Sequence, residues 1–151
     1  MRIYKLHRKQ LINISPEKAW DFFSSPENLK LITPDYMGFF IVGGAEKKMY
    51  AGQIINYIVK PLLGIPVRWV TEITHVNAPY FFVDEQRFGP YKFWHHKHFI
   101  NSGEAGTELE DIVHYALPFG FLGSIVHRLF VRKKVQSIFD YRTKKIRELF
   151  S

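Results

Sequence analysis

Beyond Pro118-Phe119-Gly120 the sequence settles into one sustained helical rhythm. Leu122, Ile125, Val126, Leu129, Phe130, Val135, Ile138, Phe139, Arg142, Ile146 and Leu149 recur at the spacing of an amphipathic helix. A helix of nearly 30 residues is about 45 Å long, enough to cross a whole small domain. No other segment predicts a helix of comparable length. Whatever precedes it must fold so that its apolar face is covered, and that requirement governs how the rest of the chain is read.

What precedes it is largely β. Residues 2–14 alternate loosely and predict a long first strand. Ser15-Pro16-Glu17-Lys18 then supplies an N-cap, a proline at the first helical position and an acid in the first turn. Ala19, Trp20, Phe22 and Phe23 give the short helix that follows an apolar face. Ser25-Pro26-Glu27-Asn28 repeats the start signal for a second short helix, which Thr33-Pro34 ends. Strand-like runs then lie at about 36–43, 52–60, 65–76, 80–88, 91–101 and 106–117. The breaks between them carry turn chemistry: Gly43-Gly44, Pro61 to Gly64, Asn77-Ala78-Pro79, Gly89-Pro90 and Ser102 to Gly106. Connections this short favour an antiparallel meander.

A sheet of about seven strands with one large helix must curl around that helix, leaving room for a cavity between them. The expected class is α+β, a helix-grip architecture, and 151 residues suit one domain spanning 1–151.

Composition narrows the function. The chain is 46% hydrophobic and 17% aromatic, and large flat side chains can line a pocket without collapsing into it. It has no cysteine, which excludes disulfides, thiolate catalysis and Cys-ligated metals. No run approaches the roughly 20 apolar residues needed to span a bilayer, and Met1 to Lys5 do not resemble a signal peptide, so a cytoplasmic location is expected. The net charge of +7 is concentrated: residues 122–151 hold eight Lys/Arg against Asp140 and Glu148, a balance of +6. With neither a helix-turn-helix nor an aromatic stacking platform beside that charge, nucleic acid is not an expected partner.

Several stretches resemble the START/Bet v1-like superfamily, also called SRPBCC, and its polyketide cyclase/dehydrase-like branch in particular. They are Ser15 to Ser24 (Ser-Pro-Glu-Lys-Ala-Trp-Asp-Phe-Phe-Ser) with Pro26-Glu27-Asn28-Leu29, Phe82 to Tyr91, Trp94 to Phe99, and Gly106 to Pro118. The resemblance covers essentially the whole chain. It implies the helix-grip fold and a cavity for a hydrophobic small molecule: a lipid, a polyketide or an aromatic compound. It carries no common catalytic signature, since that superfamily spans lipid carriers, receptors and aromatase/cyclases.

The strongest polar cluster is Trp94-x-His96-x-His98 with Asp111. If residue 100 pairs with 107, His98 faces Leu109, His96 faces Asp111 and Trp94 faces Val113, all on one sheet face. That face continues through Tyr115 and is the more apolar one, so it should point inward. His96 and Asp111 would orient a ligand hydroxyl or carbonyl, or pair as acid and base in a cyclase/dehydratase-like enzyme. A buried pair that only fixes strand register would look the same in sequence. His-x-His with a facing Asp also provides three metal ligands, but no further residue is spaced to complete the set, so neither a metal nor any other cofactor is expected.

Further cavity candidates are Tyr57, Trp69 and Thr71 on the strands, with Leu122, Val126 and Leu129 roofing the pocket from the helix. On the strand at 80–88 either Asp84 and Gln86 or Glu85 and Arg87 face inward, depending on the loop at Gly89-Pro90; by resemblance Gln86 is expected to line the cavity. Apolar residues at the helix start with Arg132-Lys133-Lys134 also suit peripheral contact with an anionic membrane, as for a lipid carrier. Monomer and homodimer are both compatible with the sequence.

Overall fold

The alternating segments become seven strands: β1 (Tyr4–Ile12), β2 (Phe40–Gly43), β3 (Ile54–Val59), β4 (Val67–Asn77), β5 (Phe81–Phe88), β6 (Phe93–Gly103) and β7 (Gly106–Ala116). The structure, a computed structural model, describes residues 1–61 and 63–151. The strands form one antiparallel sheet in the order β1-β7-β6-β5-β4-β3-β2, so β2 to β7 are a meander and β1 closes onto β7. Between β1 and β2, helix α1 (Pro16–Phe23) starts at Ser15, whose hydroxyl accepts from the Lys18 amide. The second short helix is a 3-10 helix, Pro26–Ile32. A further 3-10 turn, Asp35–Met37, takes the start of the run expected to be a strand from 36.

The β6–β7 hairpin sets the register of the polar residues. Glu104 and Ala105 form its turn, Gly103 pairs with Gly106, and Ile100 therefore faces Leu109. The expected alignment of 100 with 107 is off by two residues, because the turn is centred on Glu104-Ala105, one position beyond Gly103-Glu104. An even slip leaves every side chain on its expected face but changes its partner. His98, not His96, sits directly across from Asp111, while His96 faces Val113 and Trp94 faces Tyr115. Gly106 has φ +129°, and a Cβ there would lie 2.3 Å from the Ile12 carbonyl oxygen, so the hairpin approaches the end of β1 where only glycine fits.

The long C-terminal helix is present, with one irregularity. Helix α2 (Gly120–Val126) passes through a π-helical segment, His127–Val131, directly into α3 (Arg132–Phe150). Gly123, His127, Val131, Val135 and Phe139, each four residues after the last, are all buried. In a pure α-helix such a series drifts by about 40° per step. The π segment has more residues per turn and keeps the series in phase. His127 fastens this join to the sheet: its Nε2 lies 2.9 Å from the Tyr115 hydroxyl and its ring stacks on Tyr4 at 3.4 Å.

This phase corrects the expectation for one residue of the helix roof. Leu129 is 56% exposed and does not reach the cavity, whereas Leu122, though 66% exposed, lines its edge; Gly123 and His127 take the inward positions. A Cβ on Gly123 would come within 2.2 Å of the Pro118 carbonyl oxygen. In an exposed helix interior Gly→Ala gains up to ~1 kcal/mol. Gly123→Ala is expected to reverse that sign and destabilise by about 1 kcal/mol or more, a drop of roughly 2–4 °C in melting temperature. A thermal melt that rises would show the helix start to be loosely seated.

Candidate functional site

Three neighbouring strands and the helix each deliver a charged or titratable side chain to one place. His96 and His98, two residues apart on β6, both point inward; β7 brings Asp111 from one side and β5 brings Asp84 from the other. From α3, Arg142 occupies a position in the apolar stripe between Phe139 and Ile146, and its guanidinium reaches Asp111 Oδ1 at 3.4 Å.

The two imidazoles lie face to face, ring centres 3.6 Å apart, with a carboxylate at each edge. His96 Nε2 donates to Asp111 Oδ1 at 2.9 Å, and its Nδ1 lies 3.5 Å from Asp84 Oδ2. His98 Nε2 donates to Asp84 Oδ2 at 2.5 Å, and its Nδ1 lies 3.2 Å from Asp111 Oδ1, outside hydrogen-bonding geometry. His96 contacts Asp111 diagonally, although the ladder places His98 directly opposite.

Five such groups in an apolar interior must nearly cancel in charge. Burial alone would favour neutral acids, but Arg142 and the two histidines hold the Asp111 carboxyl well below its ordinary range. Against the same burial penalty, the two histidines and Arg142 lower Asp84. Burial and the adjacent His98 depress His96, keeping it neutral. For His98 burial is opposed and outweighed by its contacts with Asp111 and Asp84, so its affinity for the proton rises. Two carboxylates, one imidazolium and one guanidinium then sum to zero.

The cluster forms part of the wall of a cavity of about 510 Å³ between sheet and helix, within the size range of small-molecule sites. Asp84, His96, His98 and Arg142 face it, while Asp111 stands behind them. The rest of the wall is mainly apolar. Phe82 stacks on His98 at 4.1 Å, and Trp69, Tyr91 and Trp94 pack edge to face or tilted, with centres 4.8–5.5 Å apart. Buried between this wall and the helices, Tyr57 and Tyr91 have their phenol pKa values pushed up by loss of hydration.

Of the residues expected here, Tyr57, Trp69, Thr71, Trp94, His96 and His98 line the cavity, with Leu122 and Val126 at its exposed edge. Five do not. Asp111 lies behind the histidines, and Leu129 points away to solvent. Val113 is sealed in the core that joins β1, β7 and the helix. Tyr115 turns to His127. Gln86 is the expectation most changed: its Nε2 donates to the Tyr91 carbonyl and its Oε1 accepts from the Tyr91 amide, so it braces the β5–β6 loop from within. Asp84, on the same inward face, is the residue that reaches the histidines. Asp84, Arg142, Tyr91 and Phe82 were missed as site residues. Only Arg142 carried a local signal, as the single charge among the apolar positions of the helix.

No protein-family model matches the sequence, and no curated protein matches it. Solved structures do. The chain is similar to TTHA0849 from Thermus thermophilus, at 16% identity over 96% of this chain and 95% of that one, with a TM-score of 0.70. Protein CV1439 from Chromobacterium violaceum matches at 14% identity over 98% and 96%, TM-score 0.71. Ara h 8.0201, a Bet v1 allergen, matches at 14% identity over 96% and 98%, TM-score 0.62. The likeness is one of fold: this chain has the Bet v1-like helix-grip fold, with seven antiparallel strands, two short helical segments after the first, and one long C-terminal helix.

The ion pair across the cluster is testable. Arg142→Met leaves Asp111 without its guanidinium and is expected to cost about 3 kcal/mol in urea unfolding. Adding Asp111→Asn should cost less than the sum of the two single changes, with a coupling of roughly 1–3 kcal/mol. Additive costs would show that the two groups do not interact.

Proposed function

We propose that this protein binds an amphiphilic small molecule, with its apolar body against the aromatic wall and one polar or anionic end at the Arg142–His98–Asp84 cluster. The observation that carries this reading is a set of charged and titratable side chains converging on an otherwise apolar cavity wall: Asp84, His96, His98 and Arg142 all line it. A carboxylate, carbonyl or hydroxyl oxygen of a ligand set against that cluster would gain charge-assisted hydrogen bonds, each worth about 1.5–3 kcal/mol. An apolar wall with a few convergent polar groups is the usual build of a ligand pocket. The fold's use for ligand binding supports the same reading, and the shared geometry leaves open which lipid, polyketide or aromatic compound is carried.

The test is fluorescence titration with cis-parinaric acid and its methyl ester. The acid is expected to bind saturably at one site and roughly tenfold more tightly than the ester, about 1.4 kcal/mol. Arg142→Met should abolish that preference while ester binding persists. Absence of saturable binding by either probe would remove the proposal.

A second observation favours a carrier that loads from a membrane. Phe119 and Leu122, at the edge of the cavity, are 81% and 66% exposed, and on the same helical stretch Phe121 and Phe130 are 80% and 62% exposed. Phe119 and Leu63 adopt the left-handed backbone region, φ +65° and +52°, which is unfavourable for large side chains yet turns both outward. Exposed Arg128, Arg132 and Lys133 lie on the same helical stretch. Among the described residues no helix is long and apolar enough to cross a membrane, so the contact would be peripheral.

Co-flotation should therefore show the protein on phosphatidylcholine vesicles containing phosphatidylglycerol and not on phosphatidylcholine alone. Phe121→Ser with Phe130→Ser should reduce binding about tenfold or more, from the lost apolar burial. Equal recovery with and without anionic lipid would overturn this reading.

A further inference from the structure

The arrangement around the two histidines has a polarity that hydrogen bonding alone does not require. Each imidazole has one nitrogen turned to Asp111, away from the cavity, and the other turned to Asp84, on the cavity wall. For His96 the Asp84-facing atom is Nδ1 and for His98 it is Nε2. Asp84 Oδ2 lies 3.5 Å from His96 Nδ1 and 2.5 Å from His98 Nε2, and the three residues each offer a ligand atom within 4.8 Å of the other two. They are mounted on the adjacent, directly paired strands β5 and β6, so their backbones are fixed by the ladder. A carboxylate behind the ring, accepting from His96 Nε2 so that Nδ1 is left to point forward, is the outer shell that histidine metal ligands characteristically have.

From this geometry we infer that Asp84, His96 and His98 form a site for a divalent first-row transition metal, with Asp111 as the outer-shell carboxylate that accepts from His96 and lies beside His98. Two nitrogens and one carboxylate oxygen suit zinc, iron(II) or cobalt(II), and three protein ligands leave coordination positions open. Those positions face the cavity, because the three ligands line it and Asp111 does not. Metal takes the place of the proton that His98 donates to Asp84. A dication beside two carboxylates and Arg142 leaves a local charge of +1 with both histidines neutral. The open positions therefore favour an anionic oxygen donor, such as a carboxylate, enolate or phenolate. The inference extends the ligand-binding proposal at the same cavity, but metal uptake needs no organic ligand.

The test is titration of chelator-treated protein with cobalt(II), read by visible absorption, with zinc(II) as competitor. Wild type should bind one equivalent with a Kd of roughly 100 μM or tighter. Asp84→Asn and His98→Ala should each weaken binding at least 100-fold, and Asp111→Asn about 10- to 100-fold. His75→Ala and His95→Ala, on the other face of the sheet, should leave it unchanged. Should Asp84→Asn fail to fold, paramagnetically shifted ring-proton resonances of two histidines in cobalt-loaded wild type, lost in His98→Gln, give the same answer. No one-to-one binding at millimolar cobalt, or binding that depends on His75 or His95, overturns the metal site. Parinaric acid binding in the presence of chelator reads the organic pocket separately, so either proposal can fail without the other.

Discussion

Seven strands at about 4.8 Å spacing make a sheet roughly 29 Å wide, while a helix with its side chains is only 10–12 Å across. One helix cannot cover such a surface. Here the π segment and α3 seat Val131, Val135 and Phe139 against β1 and β7, which fills one side of the concave face. Helix α1 and the 3-10 segment after it close another part through Ala19, Ile32 and their aromatic neighbours. What neither reaches, over β3 to β6, is the cavity. The void thus follows from a mismatch of widths, and residues such as Trp69 and Trp94 keep it open because they are too large and rigid to collapse into it.

The placement of charge in that void follows from the same geometry. Inward positions on β5, β6 and β7 converge where the sheet is covered on one side and open on the other, so polar groups there can be both buried and reachable. Asp111 takes the covered position beneath Arg142, and Asp84 takes the open one. Buried ion clusters contribute little net stability and break expensively when one member is lost. Such a cluster on a cavity wall therefore points to use by a ligand or an ion more than to a structural purpose.

Most of the fold was legible because it rests on patterns local to each segment. Proline and glycine marked nearly every break, and period-two alternation gave β7 its inward face of Leu109, Asp111, Val113 and Tyr115. Similarity in fold at about 15% identity with proteins such as TTHA0849 and CV1439 makes the same point: patterns persist where residues do not. The site was legible only as far as one strand could show it. His96, His98 and Asp111 stood out, but their partners depended on hairpin register, and a turn placed one residue later along the chain exchanged them. Asp84 was hidden by a loop whose closure uses the side chain of Gln86, a contact no local pattern announces. The helix phase was misread at Leu129 for a related reason: its spacing is that of an α-helix, whereas the chain makes a π turn that buries His127 and Val131.

That π turn divides the helix into parts of different tenacity. Beyond it, α3 is tied down by Val135, Phe139 and Ile146; before it, the only buried residue of α2 is Gly123, which has no side chain to contribute. A segment with so little buried apolar surface belongs to the least protected end of a protein's local opening equilibria. Under the proposed function, exchange of the cavity's contents would be governed by excursions of α2 about the His127–Tyr115 fastening rather than by loosening of the sheet. The residence time of a bound molecule would then be a property of one short helix, adjustable without disturbing the polar cluster on the opposite wall.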